Sequence, residues 1–248
     1  MSAPGHRGVA PDASPAGHAA GLSALLLLAD GRFPAGGHAH SGGLEAAVAA
    51  GRVTDVTTLM SFLRGRTVTS GAVCAAFAAA ACAAFEADPT MTNGELEDLD
   101  AELDARTPSP ALRGTSRVLG RQLLRAARAI RAHPGLDPLT VTMPDGPHQP
   151  IALGVTSAVF QLTPHAAAVA ALHEAAAGPA TAAIRLLGLD PFAVHAVLIR
   201  LAPHLDELAR EAADHAATPA ERLPAPGAPM LDISAEHHAA WEVRLFAS

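Results

Sequence analysis

The sequence predicts an all-α protein, a single-domain bundle of roughly eight to ten helices. Half of its 248 residues are hydrophobic, but only 3% are aromatic and none is a tyrosine. The core must therefore be built mainly from alanine, leucine, valine and isoleucine, and alanine is the strongest helix former. No stretch alternates strongly between apolar and polar residues, as a half-buried strand would.

Composition divides the chain into three regions. Residues 1–20 are rich in glycine, proline, alanine and histidine, which predicts a disordered N-terminal tail. Residues 21–215 should form the helical domain. Residues 216–248 begin as a proline-rich linker and end in an amphipathic segment, capped by Ser234, that carries the single tryptophan, Trp241.

Two short helices are predicted first, over residues 22–29 and 41–50, and Gly51 is a suitable C-terminal cap for the second. A longer helix should follow and extend to Phe85. We predict an N-terminal cap for this helix at Thr54 or Asp55 and a bend at Gly65 or Gly71.

Residues 95–104 are acidic, whereas residues 111–132 carry arginines at spacings of four and then three, which places them on one helix face. One interpretation is a stripe that binds phosphate or nucleotide. The other is an antiparallel hairpin in which the acidic helix faces the basic one. The charges nearly cancel, so the hairpin is favoured. The arginines are Arg113, Arg117, Arg121, Arg125, Arg128 and Arg131.

In the rest of the chain, proline and glycine residues predict where helices end and connections begin. Residues 133–150 contain repeated prolines, which predict a long irregular connection over the surface. Thr163 should cap a helix that Gly178 and Pro179 then end.

Charge excludes several functions. The net charge of −7 argues against a nucleic-acid binder. All 17 basic residues are arginine, so the chain has no lysine for a P-loop or a Schiff base. No signal peptide is recognised, and no apolar run that is free of charges and of glycine or proline breaks reaches the roughly 18 residues of a membrane span. Residues 72–85 come nearest and are better explained as a core helix.

Two cysteines, Cys74 and Cys82, lie eight residues apart in one helical pattern. That spacing corresponds to about 12 Å along a helix, which is too long for a disulfide. We therefore expect buried, reduced thiols and a protein of a reducing compartment.

The most distinctive stretch is the glycine-rich segment, residues 30–45, with the sequence DGRFPAGGHAHSGGLE. Its glycines reach backbone angles closed to other residues and permit close approach of a second backbone. Ser41 is a suitable N-cap, and Glu45 suits the first turn of the helix that follows.

Catalytic and metal-binding interpretations of this segment are weaker. Residues 39–43 nearly match the G-x-S-x-G nucleophile elbow, but the preceding run is leucine-rich and helical rather than a strand. His38 and His40 invite a metal site, as do His237 and His238, yet zinc-type sites need three or four ligands with supporting spacing. A helical protein that binds a metal or small molecule through His38 and His40 stays as the alternative to a protein-binding role.

Both ends of the chain resemble the signatures of the urease accessory protein UreF family. The N-terminal signature is matched by residues 33–36 (FPAG) and 40–45 (HSGGLE), and the C-terminal one by residues 229–248, which end in RLFAS. Residues 113–120, 151–154 and 182–188 resemble internal motifs of that family. Residues 189–195 depart from it, because many members carry Gly-Gln residues at the subunit interface there.

The resemblance implies an all-α fold, a homodimer and a non-catalytic chaperone of urease maturation in the cytoplasm. It implies that the chain bridges UreD (also called UreH) and the GTPase UreG, and that this assembly inserts nickel into apo-urease. No nucleic acid or membrane is expected as a partner. No tightly bound cofactor is expected either, because nickel is handled by the complex. The implied partner-binding residues are Phe33, Pro34, Gly36, His40, Ser41, Gly43, Glu45, Arg244, Leu245, Phe246 and Ser248.

Overall fold

A computed structural model describes residues 21–90, 92 and 94–246, except for the side chain of His38. Within these residues the chain forms eleven α-helices and no strand, which confirms the predicted all-α class. The predicted N-terminal tail and Ser248 lie outside the described residues. The helices are α1 (Leu22–Ala29), α2 (Leu44–Ala49), α3 (Val56–Arg66), α4 (Ala72–Ala87), α5 (Glu95–Ala105), α6 (Pro110–Ile130), α7 (Leu136–Thr142), α8 (Gln149–Val159), α9 (Pro164–Leu187), α10 (Pro191–Asp214) and α11 (Pro229–Ala239).

Helix α4 is the centre of the bundle. It packs against α8, α9 and α10, and most of its alanines are fully buried together with Phe77 and Cys82. Gly154 of α8 faces it so closely that an added Cβ would overlap the carbonyl of Ala78. Small residues on both helices therefore bring the two backbones together, as the alanine-rich composition predicts.

Helices α3 and α4 are joined by a π-helical turn, Thr67–Gly71, where a bend was predicted. A π turn contains one extra residue per turn and leaves carbonyls without their usual partners. Side-chain hydroxyls supply the hydrogen bonds, because Thr67 donates to the carbonyl of Arg64 at 3.0 Å and Thr69 to that of Gly65 at 2.8 Å.

The continuous stretch Val56–Ala87 is long and apolar enough to cross a membrane by composition alone, with a mean hydropathy of 1.8 over its best window. Inside this protein, 67% of that window is buried. Its apolar character is therefore accounted for by the helices packed around it, as expected for a core helix.

The predicted pairing of the acidic and basic helices is found at the first two arginines of the stripe, whereas Arg121 and Arg128 donate to backbone carbonyls of residues 145 and 136. Arg117 of α6 donates to Asp100 at 2.9 Å and to Asp104 at 2.8 Å, while Arg113 lies 3.6 Å from Asp104. The contacts run in opposite directions along the two helices, so α5 and α6 are antiparallel. Buried His148 completes this network, since its backbone N–H donates to Asp100 at 2.7 Å.

Two predicted irregular regions are more ordered than expected. Residues 133–150 contain helix α7, whose Leu136 and Leu139 are both fully buried in the core. The proline-rich linker contains a 3₁₀ turn, Ala220–Arg222, whose neighbouring carbonyls accept hydrogen bonds from Arg106. Tertiary contacts, which local composition does not report, fix both segments.

Two predicted helix boundaries are wrong. Helix α9 continues through Gly178 and Pro179 to Leu187 rather than ending there. Ser234 lies inside α11 instead of capping it, and its hydroxyl accepts a hydrogen bond from Arg52 at 2.8 Å.

Candidate partner-binding site

The glycine-rich segment lies over the bundle as a compact loop. Phe33 anchors it, because its ring is buried edge-on against Phe160 with centroids 6.3 Å apart. Pro34 is exposed. Gly36 has φ = +81°, and an added Cβ would overlap the side chain of Gln122 on α6. A glycine is therefore required there both for backbone conformation and for space.

The second half of the segment leads into α2. Gly42 and Gly43 both have positive φ, and α2 begins directly afterwards at Leu44. Ser41 is fully buried, and its hydroxyl accepts the N–H of Glu45 at 3.3 Å. Ser41 therefore supplies the predicted side-chain acceptor, although the helix begins later than residue 41.

Glu45 joins this segment to the other end of the chain. Its carboxylate accepts the backbone N–H groups of Leu245 at 2.9 Å and Phe246 at 3.1 Å, and lies 2.8 Å from Nε2 of His238. Burial alone would raise the pKa of Glu45, but these hydrogen bonds outweigh burial and hold it below its ordinary value. The two sequence signatures thus meet at one ionised carboxylate.

The tail (residues 241–246) turns one face inward and the other outward. Phe246 is buried in a second apolar cluster that includes Leu44, and its ring centroid lies 5.0 Å from the guanidinium carbon of Arg185. Arg244 is exposed, and the side chain of Leu245 is 65% exposed. The terminal segment is therefore docked on its own domain through Phe246, while residues 242–245 are exposed to solvent.

A cavity of about 250 Å³ lies behind the glycine-rich segment. His40, Gly42 and Gly43 line its outer side, and Arg66 and Glu174 line it from α3 and α9. Glu174 accepts a hydrogen bond from the amide of Gln149 at 2.7 Å, but burial raises the pKa of Glu174 overall. Burial also raises the pKa of Cys74, another lining residue, to about 11, which leaves its thiol protonated.

The structure brings together most of the sequence-predicted site residues. Phe33, Ser41, Glu45 and Phe246 are buried and shape the site from inside, whereas Pro34, Arg244 and Leu245 are exposed. Gly36, His40 and Gly43 are half-buried between these two groups.

Sequence reasoning missed Arg66, Gln149, Glu174 and the role of His238. Arg66 and Glu174 carried a usable signal, because each is a charged residue inside a long and otherwise apolar helical pattern. Among the residues that the structure describes, no group of three or more histidine, cysteine, aspartate or glutamate side chains could hold a metal ion.

Taken together, the fold and the site define a class of all-α domains in which a glycine-rich N-terminal segment and the C-terminal tail converge on one surface. Residues 53–202 match the family model of UreF. The chain belongs to the UreF family of urease accessory proteins.

Curated relatives match almost the whole chain. It is 44% identical to the urease accessory protein UreF of Mycobacterium sp. (strain JLS) over 227 residues, which cover 92% of this chain and 99% of the relative. It is 42% identical to the UreF protein of Mycolicibacterium vanbaalenii, with the same coverage. It is 39% identical to that of Mycobacterium tuberculosis (strain H37Rv), over 88% of this chain and 94% of the relative.

Proposed function

We propose that this chain is an adaptor that bridges UreD (UreH) and the GTPase UreG during GTP-dependent insertion of nickel into apo-urease. The observation that carries the proposal is family membership, with a relative 44% identical over 92% of this chain and 99% of its own length. Relatives of this family are named as urease accessory proteins, so the proposed role is assistance to urease maturation and not catalysis.

The tail is proposed as the surface for the scaffold UreD. Val243 and Leu245 are 85% and 65% exposed, and Arg244 lies between them. Apolar side chains around an arginine are common anchors of protein interfaces. Glu45 and Phe246 support this surface from beneath.

The glycine-rich segment is proposed as the surface for UreG, whose GTPase activity the chain would modulate. Pro34 is exposed at the outer side of this segment, and Gly36, His40 and Gly43 are partly accessible. The chain itself carries no lysine for a P-loop, so GTP hydrolysis is assigned to the partner. Nickel is proposed to be held by the assembled complex in the cytoplasm and not as a tight ligand of this chain.

A homodimer is proposed through the outer face of α10. Phe192 and Ile199 lie seven residues apart on this helix and are 85% and 75% exposed, with Ala196 between them on the same face. Two turns of helix with large apolar side chains in solvent fit a self-complementary contact between two copies.

Co-expression with UreD and UreG tests the adaptor role. The tagged full chain should elute from a sizing column with both partners, whereas a chain truncated after Met230 should lose UreD. Absence of both partners from the full-length eluate would contradict the adaptor role. A nickel titration of the full chain, compared with a His40→Ala variant, would then test the alternative of a metal- or small-molecule-binding protein.

A further inference from the structure

Pro179 creates a local defect in α9. Proline has no backbone N–H, so the carbonyl of Ala175, four residues earlier, loses its helical donor. Ala175 is buried, and a buried carbonyl without a donor is destabilising. Helix α9 nevertheless continues through this position to Leu187.

Arg66, on helix α3, supplies the hydrogen-bond donor that the Ala175 carbonyl lacks. Its Nε donates to the carbonyl of Ala175 at 3.1 Å. Arg66 is the last residue of α3, where the chain enters the π turn, and its side chain reaches into the interior beside the cavity. Arg66 is half-buried at the edge of this cavity, and burial lowers its pKa.

The glycine-rich segment rests directly on the same pair of residues. A Cβ added to Gly42 would lie 3.0 Å from Cγ of Pro179 and 3.2 Å from Cζ of Arg66. Gly42 also has φ = +59°, so the backbone there is held in a conformation that favours glycine. The guanidinium and the proline ring together form the surface on which Gly42 is seated.

We infer that Arg66 is a positioning residue for the glycine-rich segment: it hydrogen-bonds the carbonyl freed by Pro179 and thereby fixes the platform beneath Gly42. This inference rests on the proposed function where it concerns UreG, because the segment is the proposed UreG surface. The positioning itself is a property of the isolated chain and is measured without a partner.

A double-mutant cycle separates positioning from stability. Arg66→Met keeps the aliphatic stem but removes the donor, so its thermal midpoint should fall by about 5 °C. Pro179→Ala restores a backbone N–H for the Ala175 carbonyl. The double variant should therefore regain most of the lost thermal stability, because α9 then satisfies its own carbonyl.

In the double variant the glycine-rich segment should stay poorly positioned even though the thermal stability recovers. Hydrogen exchange of residues 40–44 should be about tenfold faster than in the wild type in both Arg66→Met and the double variant, because neither has a guanidinium beneath Gly42. Pro179→Ala alone removes the proline ring but keeps the guanidinium, so its exchange rate should lie between the wild-type rate and that of Arg66→Met. UreG affinity, measured with the full chain co-purified with UreD, should fall by about tenfold in the same two variants.

Arg64→Met is the matched control, since Arg64 is exposed on the same helix, and it should leave exchange and affinity unchanged. The inference is overturned if the double variant regains wild-type exchange along with stability, or if Arg66→Met leaves exchange unchanged. If the wild type binds no UreG while the exchange results hold, the proposed function fails and the positioning role stands. If UreG binds the wild type and Arg66→Met equally well, the positioning has no part in partner binding and that part of the inference is wrong.

Discussion

The carboxylate of Glu45 lies in the first turn of α2, but its hydrogen bonds go to the opposite end of the chain. It accepts two backbone N–H groups from the tail, at Leu245 and Phe246, and contacts His238. Without this acceptor the N–H of Phe246 would be buried without a partner. The Glu45 carboxylate therefore fixes the backbone of the tail at Leu245 and Phe246, while the Phe246 ring packs in the second apolar cluster.

Replacing Glu45 with glutamine should weaken the tail's attachment by about 1.5–3 kcal/mol, the usual worth of hydrogen bonds to a charged acceptor. Amide exchange at Leu245 and Phe246 should accelerate, while exchange in α4 stays slow. Glu242→Gln is the matched control, because it removes an exposed carboxylate within the tail itself and should change neither. Unchanged exchange in Glu45→Gln would show that the tail is held by Phe246 alone.

The same carboxylate predicts a pH dependence. The pKa of Glu45 is lower in the folded chain than its ordinary value of 4.5, so the ionised form stabilises the docked tail. This stabilisation is fully present above that ordinary value and is lost as the pH falls through the lowered folded pKa. Protection of the Leu245 amide should therefore fall below about pH 4 before the core of α4 opens. A tail whose protection does not change with pH in that range would contradict this assignment.

Both cysteines should be unreactive in the native protein. Burial raises the pKa of Cys74 to about 11 and that of Cys82 to about 12, and neither forms a disulfide. Since the thiolate is the reactive species, a thiol reagent at pH 8 should label neither residue in the folded chain and both in concentrated guanidinium. Rapid labelling of Cys74 in the native protein would mean that the cavity opens readily to solvent.

At the scale of elements, the bundle depends on helices that approach at small residues. The buried residues of helix α4 are mostly alanine, and Gly154 of α8 lies against its backbone at Ala78. Long helices with proline inside them, α9 and α10, pack around this pair. The elements hold together because partners on neighbouring helices satisfy local irregularities, as Arg66 does for Pro179.

Gly154→Ala should destabilise the protein by about 1–3 kcal/mol, because the methyl group would overlap the Ala78 carbonyl and force α8 away from α4. Gly114→Ala is the opposite case, since Gly114 lies within α6 with open space around it. That change should stabilise the protein by up to about 1 kcal/mol. Chemical denaturation of the two variants measures both effects, and equal stabilities would contradict the close α4–α8 packing.

At the scale of the whole molecule, two apolar clusters organise the domain. The larger one surrounds α4, and the smaller one contains Leu44, Val194 and the tail residue Phe246. Because the smaller cluster includes both α2 and the tail, the two chain ends belong to one packing unit. The proposed partner surfaces are therefore neighbours on the molecule although they are 200 residues apart in sequence.

The proposed dimer predicts a change in oligomeric state. Phe192→Asp combined with Ile199→Asp should shift the full chain from a dimer to a monomer on a sizing column, because two charges would be buried at the contact. Val141→Asp, an equally exposed apolar position on α7, should leave the elution unchanged. Identical elution of all three proteins would place the subunit contact elsewhere or show that the chain is a monomer.

The sequence by itself determined the helical class, most helix boundaries and the composition of the core. These properties depend on residue type and periodicity, such as the alanine of α4 and the cap at Asp55, which the structure places at the start of α3. The resemblance of both chain ends to a known family also singled out Glu45 and Phe246 as partner-binding residues, a role that stays a prediction.

Only the tertiary structure decided how those residues act. That Phe246 is buried, that Glu45 binds the tail and that Pro179 does not end α9 all depend on contacts between residues distant in sequence. Local patterns record a missing N–H at Pro179 but not the guanidinium of Arg66 that hydrogen-bonds the freed carbonyl. Hydrogen bonds and burial between distant segments are properties of the packed chain, so they can be established only after the helices have been placed.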